Sequence, residues 1–148
     1  MTTTCILRSG ILATLSACGP YSTTQISTCD YGILERSSGC AILIHYGPEE
    51  NSEPTTFRGA DTDVSMFDVI QFQGECYIQF IGNPQKLLSD VYQARDDIKA
   101  TFHKDVKLQS SACFAYLSGF RYNIDEAYEM GGKEWALLRF QLTVHDLP

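Results

Sequence analysis

Apolar residues return at two different periods along this chain, and the changes of period divide it into elements. From Thr4 to Ala17, the positions Leu7, Ile11, Leu15 and then Cys18 recur every three to four residues. This spacing predicts an amphipathic helix, ended by Gly19-Pro20, with Gly10 as a weak point inside it. Residues 19–39 are rich in Ser, Thr and Gly, with a turn signal at Asp30-Tyr31-Gly32, and predict a loop with a helical turn at most. Ala41-Ile42-Leu43-Ile44-His45-Tyr46, bounded by Gly39 and Gly47-Pro48, has the form of a short buried strand.

The second half is more strongly patterned. Met66, Ile70, Phe72, Cys76, Ile78 and Phe80 alternate with Gln71, Gln73, Glu75 and Gln79. Period two over 66–81 predicts a long strand, or a hairpin bent at Gly74-Glu75, with one buried face. Asn83-Pro84 then provides an N-cap and a first helical residue. Leu88, Val91 or Tyr92, Arg95, Ile98 and Phe102 mark the inner stripe of a helix of about five turns. After the connector Asp105–Leu108, Ala112, Phe114, Tyr116, Ser118, Phe120 and Tyr122 alternate again, and so do Ala136, Leu138, Phe140, Leu142 and Val144 beyond a 126–133 connection containing Gly131-Gly132. The order α-β-β-α-β-β predicts an α/β protein of the α+β kind: an antiparallel sheet with an N-terminal and a central helix packed on one face.

A chain of 148 residues has the length of one domain and can bury roughly 70% of its unfolded surface, so it needs neither disulfide nor metal to fold. Its six cysteines show no metal-ligand spacing, several fall on apolar faces, and the pattern predicts free thiols in a reducing compartment. Net charge is -7, with no cluster of Lys and Arg to grip phosphates. Acidic residues concentrate at 47–63, where Glu49, Glu50, Glu53, Asp61 and Asp63 stand against Arg58; this stretch predicts an exposed loop and a candidate partner-contact segment.

Catalytic patterns are weak. His45 lies within a strand pattern, His103 at a helix end where a cation suits the dipole, and His145 on the polar phase of the last strand. The neighbours Asp96-Asp97 diverge on a helix, and no phosphate-loop, dinucleotide, zinc or calcium motif is present. No enzyme activity, cofactor or metal is expected, and no apolar run approaches the ~18 residues of a membrane span.

The run FDVIQFQGECYIQFIGNPQKLLSDVYQARDDIKATFHKDVKL, followed by SACFAYLSGFRYN and KEWALLRFQLTVHD, resembles the tail terminator, or tail-completion, proteins of long-tailed bacteriophages. The resemblance covers residues 63–146, with Asp105–Leu108 matching a D-x-x-L connector and Trp135–Val144 the closing strand. It implies a structural virion protein of the tail or neck, assembled in the host cytoplasm. A homo-hexameric ring would cap the head-proximal end of the tail tube, touching the tube protein on one side and a neck, connector or stopper protein on the other. DNA would meet it only in passage through an acidic lumen, and no membrane is involved.

Other readings compete. A head-completion or neck adaptor would occupy the other side of the same joint. Leu15-Ser16-Ala17-Cys18 resembles a lipoprotein processing site, although the apolar run before it is short and broken by Ser9, Gly10 and Thr14, so an exported binding module is the more distant alternative. A small Cys/His enzyme is more distant still.

Overall fold

The computed structural model describes residues 3–27, 31–54, 66–130 and 132–146. Its elements are α1 (Thr3–Cys18), β1 (Ile26–Ser27), α2 (Ile33–Arg36), β2 (Cys40–Pro54), β3 (Met66–Gln79), α3 (Pro84–Lys104), β4 (Phe114–Met130) and β5 (Lys133–Asp146). The five strands form one sheet in the order β1-β2-β3-β5-β4, antiparallel throughout except for the two-residue β1 beside β2. This is the α+β architecture expected from the periodicities, with β1 and the single turn α2 added between the first helix and the first long strand.

Both long helices lie on one face. Leu7, Ile11 and Leu15 of α1 are fully buried with Leu87, Val91, Ala94, Ile98 and Phe102 of α3 over an apolar carpet that includes Ile42, Ile44, Phe72, Cys76, Leu138, Phe140 and Leu142. Gly74 belongs to this packing: a Cβ there would overlap the Phe140 ring, so the bare backbone leaves room for that aromatic side chain on the neighbouring strand. Gly10 has a similar reason. A Cβ would come within 2.6 Å of Ser111 Oγ, and its absence lets α1 lie against the connector that follows α3.

That connector is held from both sides. The Thr14 hydroxyl donates to Asp105 Oδ2 at 3.3 Å, Gln109 N donates to the same oxygen at 2.8 Å, and Leu108 is wholly buried. Leu108, Gln109 and Ser110 all adopt left-handed backbone, with φ of 51, 57 and 66 degrees. Such a run is costly for residues with a Cβ, and here it turns the chain from α3 into β4 while driving Leu108 inward.

Several expectations need correction. The inner stripe of α3 runs through Leu87, Val91, Ala94, Ile98, Thr101 and Phe102; Val91, Ile98 and Phe102 are as expected, but Leu87 and Ala94 stand in for Leu88, which faces outward, and Arg95, which is only half-buried. Asn83 does cap the helix, accepting from Lys86 N at 2.9 Å. β3 is one unbent strand that ends at Gln79, leaving Phe80 exposed rather than buried. Most of the 126–133 connection is strand, because β4 runs to Met130 and β5 begins at Lys133, just after Gly132 at φ 75 degrees. The stretch 47–54 is strand rather than loop: β2 continues past a bulge between Tyr46 and Glu50 and pairs with residues 66–70.

Candidate functional site

Two features of the sheet are candidates for function: its edges and the face turned away from the helices. β4 is an edge strand of 17 residues, hydrogen-bonded along one side to β5. Its other side is met near the start by the connector, where Ala115 N donates to Val106 O at 2.7 Å. At the opposite edge, β1 covers only Ile42 and Leu43 of the 15-residue β2. A bulge between Leu117 and Gly119 changes the phase of β4, so the large side chains expected in one alternating row are split between two faces. Phe114 and Tyr116 stack around His145, with ring centroids 4.3 and 5.7 Å from it, whereas Phe120 packs toward the helices. Tyr122 is exposed and meets Tyr92 of α3 edge-on, and Arg95 lies over Tyr92 while donating to the Tyr122 hydroxyl at 3.1 Å. Together with exposed Leu88, these tyrosines make a semi-apolar rim beside the β4 edge.

The face away from the helices carries Phe114 and Tyr116 around His145 at one end and an apolar patch at the other. There α2 sets Ile33 and Leu34 on Ala41, Leu43, Tyr77, Trp135 and Leu137. Lys133 fastens this patch by donating to Ser37 O, with its ammonium 5.9 Å from the Trp135 ring centroid. Next to the patch lies a polar cluster around Glu75. Its carboxylate accepts from Tyr31 at 2.8 Å and Tyr77 at 3.1 Å, and His45 Nε2 is 2.6 Å away. A histidine beside a carboxylate is half of a nucleophilic triad, but the groups around this pair are tyrosines, with no Ser or Cys hydrogen-bonded to the imidazole among the described residues. The cluster satisfies a buried carboxylate and seats the 31–36 segment on the sheet.

The residues singled out from sequence are divided. Glu49, Glu50 and Glu53 lie on β2, with Glu50 opposite Ile70 and Glu53 opposite Phe67. Arg58, Asp61 and Asp63 lie outside the described residues. His103 sits in the last turn of α3 and is exposed, while His145 is almost fully buried despite its polar phase. The His45–Glu75 contact was missed because each residue reads alone as the polar partner in a period-two strand, and only strand pairing brings β2 and β3 together.

Two of the described thiols lie close together. Cys40 and Cys76 Sγ atoms are 3.5 Å apart, and the Cys76 thiol is pushed up by its bond to Cys40 and by burial, which keeps it protonated and inert. Cys18, Cys40, Cys76 and Cys113 are free thiols. Among the described residues, no three His, Cys, Asp or Glu side chains converge as metal ligands, and no helix is long and apolar enough to cross a membrane. α1 contributes Leu7, Ile11 and Leu15 to the core, so processing before Cys18 would strip three buried side chains from the sheet. Compared with known proteins, the sequence matches no family model and no curated protein.

Proposed function

We propose that this chain is a ring-forming structural protein that caps the head-proximal end of a phage tail tube and offers a surface for joining the tail to the neck. The observation that supports this reading is the pair of long sheet edges, β4 on one side and, on the other, the length of β2 that no described strand covers beyond Ile42 and Leu43. An open edge of this length invites pairing with another chain and is normally covered. When the β4 edge of one copy pairs with the β2 edge of the next, the contact is head-to-tail, and such a contact closes into a ring when the rotation between copies permits. The rim of Leu88, Tyr92 and Tyr122 beside β4 would add apolar area to that contact. A net charge of -7 per subunit suits a lumen through which DNA slides without adhering. The hexameric count and the tube and neck partners rest on the resemblance of residues 63–146 to tail terminators.

Native mass spectrometry of the full-length protein tests the assembly. A species of six 16.5 kDa chains is expected. Deletion of the gene tests the role, with tails of uncontrolled length as the expected outcome. Normal tails in its absence, or a chain that stays monomeric in the assembled particle, would overturn the reading. Charge reversal at Glu49, Glu50 and Glu53 is expected to weaken docking of a partner ring, and unchanged assembly would remove that segment from the interface.

A further inference from the structure

The polar face of the sheet holds two arginines where an antiparallel pair should not place them. Arg121 of β4 and Arg139 of β5 are direct register partners. Like charges directly opposite one another destabilise a sheet. The register offers Arg139 a counter-charge in Glu75, its partner on β3. Yet the Glu75 carboxylate is committed to Tyr31, Tyr77 and His45. Among the described residues, neither arginine has an ion-pair partner. Arg139 Nε is also buried with no hydrogen bond among the described residues, an unfavourable state for a charged donor.

These two side chains line a cleft of about 300 Å³ together with Gln73, Gln141 and Gly119. Gly119 is the register partner of Gln141, and a Cβ built there meets nothing within 4 Å, so the cleft mouth is open on the β4 side. The bulge just before Gly119 inserts Ser118, which bonds Gln141 O and Thr143, and sets Gly119, with no side chain, opposite Gln141. The volume lies at the lower end for small-molecule sites, larger than a bare ion requires. Guanidinium groups bind carboxylate and phosphate through two parallel N–H donors, and a pair of them with glutamine amides nearby makes a donor-rich cleft.

We propose that this cleft is a binding site for a small molecule bearing an oxyanion, a carboxylate or phosphate group, held between Arg121 and Arg139. The ligand anion takes the place of the missing counter-charge, satisfies the buried Arg139 Nε and relieves the Arg121–Arg139 repulsion. The inference is independent of ring formation, since it uses only groups within one chain.

Calorimetric titration of the full-length protein with inorganic phosphate and, separately, with glutarate, at ionic strength held constant by sodium chloride, tests it. Saturable binding of at least one probe is expected, with affinity reduced at least tenfold in Arg139→Gln and in Arg121→Gln. Gly119→Val, which fills the mouth without changing charge, is expected to weaken binding by a similar factor. It serves as the independent variant should Arg139→Gln fail to give a cooperative melt. Binding of phosphate alone assigns a phosphate-bearing ligand, and binding of glutarate alone a carboxylate-bearing one. No saturable binding of either probe, or binding unchanged in the variants, would overturn the proposal.

Discussion

The two faces of the sheet are built by different means. The helix-covered face is a continuous apolar layer in which β2, β3 and β5 meet α1 and α3, and its specificity comes from shape, as the fit of Phe140 over Gly74 illustrates. The far face has a small apolar patch under one helical turn, then a carboxylate satisfied by two tyrosines and a histidine, then two arginines with no carboxylate to pair with among the described residues. One face is specified by packing and the other by polar partners. The first therefore carries most of the stability, and the second has groups to spare for recognition.

That contrast can be broken most severely at Phe140. Phe140→Ala is expected to destabilise the protein by about 4 kcal/mol, because neighbouring helices and strands cannot collapse into so large a void. On the other face, Trp135→Ala should cost about 3 kcal/mol, since the patch it fills is smaller and the 31–36 segment can settle. Urea unfolding compares the two directly, and a larger loss at Trp135 would reverse the ranking of the faces. Glu75→Ala should cost about 2 kcal/mol by leaving the Tyr31 and Tyr77 hydroxyls and His45 without their shared acceptor. If stability is unchanged, the cluster has no structural role.

Two smaller effects should stabilise. The Tyr21 hydroxyl is buried with no hydrogen bond among the described residues, and Tyr21→Phe is expected to gain about 1 kcal/mol. Burial first, and then the neighbouring Cys76, Cys40 and Asp97, raise the Tyr21 phenol above its ordinary value of 10.0. The folded state therefore holds this proton more tightly than the unfolded chain, so stability is complete below pH 10 and falls as pH rises beyond it. Melts of the Tyr21→Phe variant across alkaline pH should show a shallower fall than the parent. Ser110→Gly should gain about 0.5–1 kcal/mol by relaxing the left-handed turn after α3, although the added freedom of the unfolded chain offsets part of it. A loss there, measured by thermal unfolding, would mean that Ser110 makes a contact worth more than its strain.

How far the sequence could be read differs with the kind of interaction. Period-two runs marked β3 and β5, and the Asn83-Pro84 cap marked the start of α3, because these signals are local and repeat with the geometry of one element. Helix phase was legible at Ile98 and Phe102 but missed by one residue at Leu88 and Arg95 and left open at Val91 or Tyr92: Leu87 and Leu88, or Val91 and Tyr92, are neighbours of similar apolar bulk, and only the sheet below selects between them. The acidic residues of 47–54 suggested a loop because charge and proline usually mark one, yet pairing with 66–70 draws them into β2. The bulge in β4 left no mark in composition.

By itself, then, the sequence determined the order of the long elements, the two-layer α+β class and the chain's negative charge, since each depends on residues close together or on a sum over all of them. Only the tertiary structure decided that Glu75 turns to His45 and two tyrosines, that Arg121 and Arg139 face one another, and that Gly74 and Gly10 mark close approaches. Apart from the Glu75–Tyr77 bond within one strand, these are relations between residues 18 to 101 positions apart, created by strand register and helix docking, and no local period encodes them.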